Sequence, residues 1–181
     1  MEENITNVLS QEHQNILKVI DLVLEECTGL QNDRPVNPAF FQEVIHFIKN
    51  YADGYHHKKE EDILFKAMVS EADNLHCNPI PVMLYEHDEG RNYVKGMENA
   101  LAEANVQKLI QYAQSYCYLL QEHIYKEDNV LYPMAEDALN KIQKEQINRH
   151  YSAVNKADFF DTEIEQFVKN LKEHSVIEHQ G

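Results

Sequence analysis

Apolar residues return every three or four positions through four long stretches of the chain, the spacing that lines one face of an α-helix. The first stretch carries Leu9, Ile16, Ile20, Val23 and Cys27, and the second Phe41, Ile45, Ile48, Ala52, Ile63 and Ala67. The third carries Met83, Val94, Met97 and Leu101, and the fourth Ala113, Tyr116, Leu120, Leu131 and Met134. Turn-forming residues divide them. Residues 29–38 read as a loop, with Asn37 as an N-cap and Pro38 at the first helical position. Residues 73–81, holding Asn74, Asn78, Pro79 and Pro81, read as a second loop, and Asn105 caps the fourth helix after a short connection near Glu103. Pro133 is expected to end or bend that helix. Past about residue 138, Ile142, Ile147, Val154, Phe160, Ile164, Phe167 and Leu171 predict one or two further helices packed against the exterior.

The stripes break at particular places. His13 fills the gap between Leu9 and Ile16, and His56 and Glu60 fill the gap between Ala52 and Ile63. His87 follows Met83 by one turn, and His123 and Glu127 stand between Leu120 and Leu131. Six polar side chains therefore point where a core should be. Buried charges are costly without partners, and a shared metal centre would partner all six at once.

Two of these breaks are copies of one pattern. His56-His57-Lys58-Lys59-Glu60-Glu61-Asp62-Ile63-Leu64-Phe65 returns, edited, as His123-Ile124-Tyr125-Lys126-Glu127-Asp128-Asn129-Val130-Leu131-Tyr132. Each copy sets an imidazole and a carboxylate four residues apart, on one helix face. One such pair would be an ordinary solvated face; two aligned copies seated on apolar stripes point to metal ligation. Leu9-Ser10-Gln11-Glu12-His13 likewise resembles Met83-Leu84-Tyr85-Glu86-His87, which suggests an αα unit repeated about a pseudo-twofold axis. The centre of a helical bundle is where such sites are built.

Other candidates weigh less. His57 lies about 100° round the helix from His56, its counterpart in the second copy is Ile124, and it reads as an outward or supporting histidine. Tyr51 and Tyr55 are expected to pack. His46, His76, His150, His174 and His179 stand without companions and are given no function.

Composition narrows the field further. The chain has 181 residues, 43% hydrophobic and 26% charged, with five Gly, five Pro and no Trp. That suits one globular domain of few, long elements. A net charge of −15 opposes binding to nucleic acids or anionic membranes, and no apolar run is long enough to span a bilayer. Cys27, Cys77 and Cys117 show no paired spacing, and Met1-Glu2-Glu3-Asn4 lacks the features of a signal peptide, so reduced thiols in a cytoplasmic protein are expected. Imidazole with carboxylate and no thiolate suits iron, manganese or zinc, with iron first; a set with open positions looks reactive rather than structural.

These residues resemble the hemerythrin-like family, the HHE cation-binding domains, over about residues 5–140. The most specific parts are Glu12-His13, His56-His57-x-x-Glu60-Glu61-x-x-Leu64-Phe65, Glu86-His87-x-x-Gly90-Arg91 and His123-x-x-x-Glu127-x-x-x-Leu131-x-Pro133. The resemblance implies an all-α fold: an up-down-up-down four-helix bundle over 1–140, with 141–181 as a C-terminal helical extension on the same domain. It implies two iron ions, with His13, His56, His87 and His123 as terminal ligands. Glu60 and Glu127 would bridge them, and an oxo, hydroxo or water bridge would complete the site. Oxygen-carrying hemerythrins have another ligand histidine where Arg91 stands, and an aspartate five residues after the last histidine, where Asp128 stands; the internal repeat favours Glu127. The pattern is closer to the wider HHE group, associated with oxygen or iron sensing, peroxide and nitric oxide chemistry, and iron–sulfur repair. The expected function is binding of dioxygen or a related small diatomic or peroxide ligand. The alternative is an enzyme acting on peroxide, dioxygen or nitric oxide.

Overall fold

A computed structural model of the chain describes residues 4–71, 77–154, 156–160 and 162–178. His76 and His179 lie outside the described residues, as does the side chain of His174. Every described element is helical, and no strand occurs among the described residues.

The caps fall where the turn residues place them. α1 spans Asn7–Gln31, and Asp33 turns the chain with φ of 63°. Asn37 accepts a hydrogen bond from the Phe40 amide and starts α2, Pro38–Phe47, with Pro38 in its first turn. α4, Ile80–Ala102, begins one residue before Pro81, inside the loop expected over 73–81, because proline is tolerated in a first turn. Asn105 accepts from the Lys108 amide and starts α5, Val106–Lys126.

The second and fourth runs are not continuous α-helices. α2 passes into a π-helical stretch, Ile48–His57, then a second, Glu60–Leu64, before α3, Phe65–Ser70. α5 likewise passes into a π-helical turn, Glu127–Leu131, and then α6, Tyr132–Ala138. The two five-residue π turns fall on the aligned halves of the internal repeat. Pro133 does not stop the run: it sits in the first turn of α6, where hydrogen bonding resets after the π turn and its missing N–H is tolerated.

Packing divides the apolar core in two. One cluster joins Ile16, Ile20, Val23, Phe41, Ile48, Val94, Met97, Leu109, Ala113 and Leu120. The other joins Leu9, Leu64, Phe65, Met68, Met83, Leu131, Tyr132 and Ile147. Along α1, Leu9 belongs to one cluster and Ile16 to the other, with His13 between; along α4, Met83 and Val94 flank His87 in the same way. A polar layer therefore crosses the middle of the molecule. α5 packs on both α1 and α4, and the Ile48–His57 stretch packs on the same two helices.

The C-terminal segment covers one side. α7, Lys141–Ala153, is started by a reciprocal cap between Asn140 and Gln143 and packs on the Glu60–Leu64 turn. Phe160 then stacks on Tyr51 at 5.3 Å, and Phe167 of α8, Thr162–Glu178, meets Phe47 at 5.4 Å.

Candidate metal centre

The polar layer contains His13, His56, His57, Glu60, His87, His123 and Glu127, each at most 5% exposed. All six residues expected from the sequence come together there, in two overlapping groups. His13, His56, Glu60 and Glu127 form one; His57, Glu60, His87 and His123 form the other, with the ligand atoms of each group within 4.8 Å of one another.

The two carboxylates span the groups. Glu60 Oε2 lies 3.7 Å from His56 Nε2 and 3.5 Å from His87 Nε2. Glu127 Oε2 lies 3.2 Å from His13 Nε2, and its Oε1 lies 3.1 Å from His123 Nε2. The imidazoles pair symmetrically: His13 and His56 ring centroids are 4.6 Å apart at 62°, and those of His87 and His123 are 4.7 Å apart at 64°.

Behind each expected ligand imidazole stands an acid. The Nδ1 atoms of His13, His56, His87 and His123 meet Asp128 at 3.1 Å, Glu12 at 2.9 Å, Glu61 at 2.7 Å and Glu86 at 2.8 Å. A carboxylate there holds a proton on Nδ1 and leaves the Nε2 lone pair facing inward, the arrangement that orients ligating histidines. These acids are anchored in turn: Glu12 by Lys59, Glu86 by Lys126, Glu61 by Arg91 and Asp128 by the Ser10 hydroxyl. The internal repeat holds at this depth too, pairing Glu12 with Glu86, Lys59 with Lys126 and Glu61 with Asp128. Asp128 stands behind His13 rather than between the two groups.

His57 departs from the outward placement its spacing suggests. It is 5% exposed, stacks on the His87 ring at 3.8 Å, and joins the second group. The wider turn of the π-helical stretch brings consecutive side chains round by less than the α-helical 100°, so His56 and His57 share the inner face. Nothing in α-helical spacing reveals this; the doubled histidine is the only signal. Tyr132 also escapes the sequence pattern: its hydroxyl donates to Glu60 Oε1 at 2.5 Å, and its ring stacks on His13 at 5.5 Å. Phe65 occupies the matching place over His87, at 5.9 Å, without a hydroxyl. One group thus gains a phenol and the other an imidazole.

Electrostatics follow from this crowding. Burial lowers His13, but Asp128, Glu127 and Glu60 outweigh it and raise the imidazole to about 9. Burial is likewise outweighed at His123 by Glu127, Glu86 and Glu60, reaching about 10. Burial and the neighbouring charge of Glu127 raise Glu60 well above the carboxylate range. Glu127 goes the other way, because His123 and His13 overcome its burial. Burial and the neighbouring His87 lower His57 to about 3, against the pull of Asp53.

The residues fit metal ions. His56 Nε2, His57 Nε2 and Glu60 Oε2 are buried without a hydrogen-bond partner, and the Glu127 oxygens have only the ionic contacts with His13 and His123. Orphaned atoms at this depth are costly unless something binds them. Without metal, His13 and His123 carry protons at pH 7, and burial beside Glu127 pushes Glu60 towards its neutral form. Metal loading at pH 7 is therefore expected to release about two protons per chain from His13 and His123, read as acid release in weakly buffered solution; release of less than one would contradict these protonation states. The raised His13 and His123 stabilise the metal-free fold fully below about pH 6.5. That contribution is lost as pH rises through about 9 and 10, so the metal-free melting midpoint is expected to fall over this range.

The family model described as Hemerythrin HHE cation binding domain matches residues 4–135. No curated protein and no solved structure matches the chain. Among the described residues, no helix is long and apolar enough to cross a membrane.

Proposed function

The chain belongs to the hemerythrin family of HHE cation-binding domains, and from that premise we propose that it is a non-heme di-iron protein that binds dioxygen or a related small ligand for sensing, storage or iron handling. The observation that carries this reading is that Glu60 and Glu127 each reach histidines of both groups. His13 and His56 would hold one iron, and His87, His123 and His57 the other. The two glutamates would lie between them, with an oxo, hydroxo or water bridge completing the pair. Residues 1–140 would form the up-down-up-down bundle, with 141–181 an extension on the same domain, in the cytoplasm as three free thiols suggest.

Iron, when bound, supplies redox chemistry and an open position for the ligand. The chain supplies the rest. Asp128, Glu12, Glu61 and Glu86 fix the four imidazoles, and apolar clusters pack against the layer along the helices on either side. The Tyr132 hydroxyl holds one oxygen of Glu60 and is a proton donor beside the centre.

A second reading, an enzyme acting on peroxide, dioxygen or nitric oxide, is favoured by a solvent-facing cavity lined by His57 and His87. Iron quantitation of protein from iron-replete cells, with optical spectra after reduction and after exposure to air, tests the proposal. Near two irons per chain and an adduct that reverses on removing oxygen support binding. Repeated consumption of peroxide or nitric oxide supports the enzyme. Absence of iron contradicts both.

A further inference from the structure

The two sides of the polar layer differ in access. Beside His13, the Tyr132 ring closes over the imidazole, and Lys59 is 1% exposed beneath Tyr55 and Tyr151. Its counterpart in the repeat, the Lys126 side chain, is 37% exposed. On the opposite side a cavity of about 310 Å³ opens, with the buried His57 and His87 in its lining. That is far more room than a diatomic ligand requires and falls at the lower end of small-molecule sites.

The lining is chemically specific. Ile48, Val94 and the ring of Tyr116 give apolar wall. The Tyr116 hydroxyl is buried and lacks a hydrogen-bond partner. At the rim, Lys49 pairs with Glu98 at 2.9 Å, and Asp53 is held by Arg91 at 2.7 Å and His57 at 3.3 Å. Lys95 is exposed and has no ion pair among the described residues, so the cavity mouth carries an unmatched cation in a chain of net charge −15.

We propose that this cavity binds a small organic monoanion, of the short-chain carboxylate class, against the His57 and His87 side of the centre. The carboxylate meets Lys95, the chain lies along Ile48, Val94 and the Tyr116 ring, and a carbonyl or hydroxyl on the chain accepts from the Tyr116 hydroxyl. The inference rests on the metal reading only for what lies behind His57 and His87, and its test separates the two.

Pentanoate, 4-oxopentanoate and pentylammonium, titrated calorimetrically into the metal-free and the iron-loaded full chain, provide that test. Both carboxylates are expected to bind and the ammonium not to, with 4-oxopentanoate tighter by about tenfold, the effect of one net hydrogen bond. Tyr116→Phe removes that preference. Lys95→Glu, at an exposed position that cannot upset the core, weakens both carboxylates at least tenfold. Gly90→Leu fills the cavity: the first carbon added at Gly90 makes ordinary contacts of 3.6 Å to Leu120 and 3.7 Å to Tyr116, so only the longer branch intrudes. Binding that ignores Lys95→Glu, or equal binding of pentylammonium, overturns the proposal. Carboxylate binding to the metal-free chain with these sensitivities sustains it even where iron fails to load.

Discussion

Replacing Glu60 or Glu127 with alanine lowers the metal content of protein from iron-replete cells well below two per chain. Each glutamate reaches histidines of both groups, so either change removes a donor from two positions at once. Loss of an outer hydrogen-bonding partner already weakens metal sites by about 10- to 100-fold, and loss of a shared ligand exceeds that. Stability falls both with and without metal. In the metal-free state Glu60→Ala strips the buried Tyr132 hydroxyl of its acceptor, and Glu127→Ala strips His13 and His123 of their carboxylate, so each variant loses about 1–3 kcal/mol or more. With metal offered, each also loses the stabilisation that binding confers. Elemental analysis and melting curves of both variants, with exposed His150→Ala as control, check this. Full occupancy in Glu60→Ala and Glu127→Ala would remove the bridging role; loss of metal in His150→Ala would mean the site lies elsewhere.

Stripping the metal with a chelator is expected to lower the melting midpoint by more than about 10 °C. A ligand present at a thousand times its dissociation constant stabilises the folded state by about 4 kcal/mol per site. A chain of this size shifts by about 2–4 °C per kcal/mol. Removal also returns Glu60 Oε2 and the His56 and His57 Nε2 atoms to an unpartnered, buried state. Scanning calorimetry before stripping, after stripping and after adding iron back gives the answer, and a midpoint indifferent to all three treatments would show that the polar layer does not depend on metal.

Much of this is legible in the sequence because α-helical periodicity is strict enough for its interruptions to carry information. His13 and His87 appear as polar residues inside apolar stripes, and the Leu9–Ile16 and Met83–Val94 intervals are the places where the core divides. The repeat carries more than the ligands. Once Glu60 aligns with Glu127, the next residues, Glu61 and Asp128, align as well, and both turn out to back histidines. Glu12 and Glu86, each preceding a histidine, do the same.

What the pattern does not reveal depends on winding. A π turn changes the angle between neighbours, and no residue type in Ile48–His57 marks its onset, so α-helical spacing sends His57 outward by an angle that does not apply there. Tyr132 is hidden for another reason. It fits the apolar stripe as well as Phe65 does at the matching position, and only its contact across the fold with Glu60 gives its hydroxyl a role. The unequal covering of Lys59 and Lys126 depends on where the C-terminal helices dock, which their own periodicity does not encode.

A crystal of the iron-loaded protein, measured on both sides of the iron absorption edge, addresses the central claim most directly. Two anomalous peaks are expected with Glu60 and Glu127 between them, one beside His13 and His56 and the other beside His57, His87 and His123. A single peak elsewhere in the fold, or none in crystals whose protein retains iron, would contradict it.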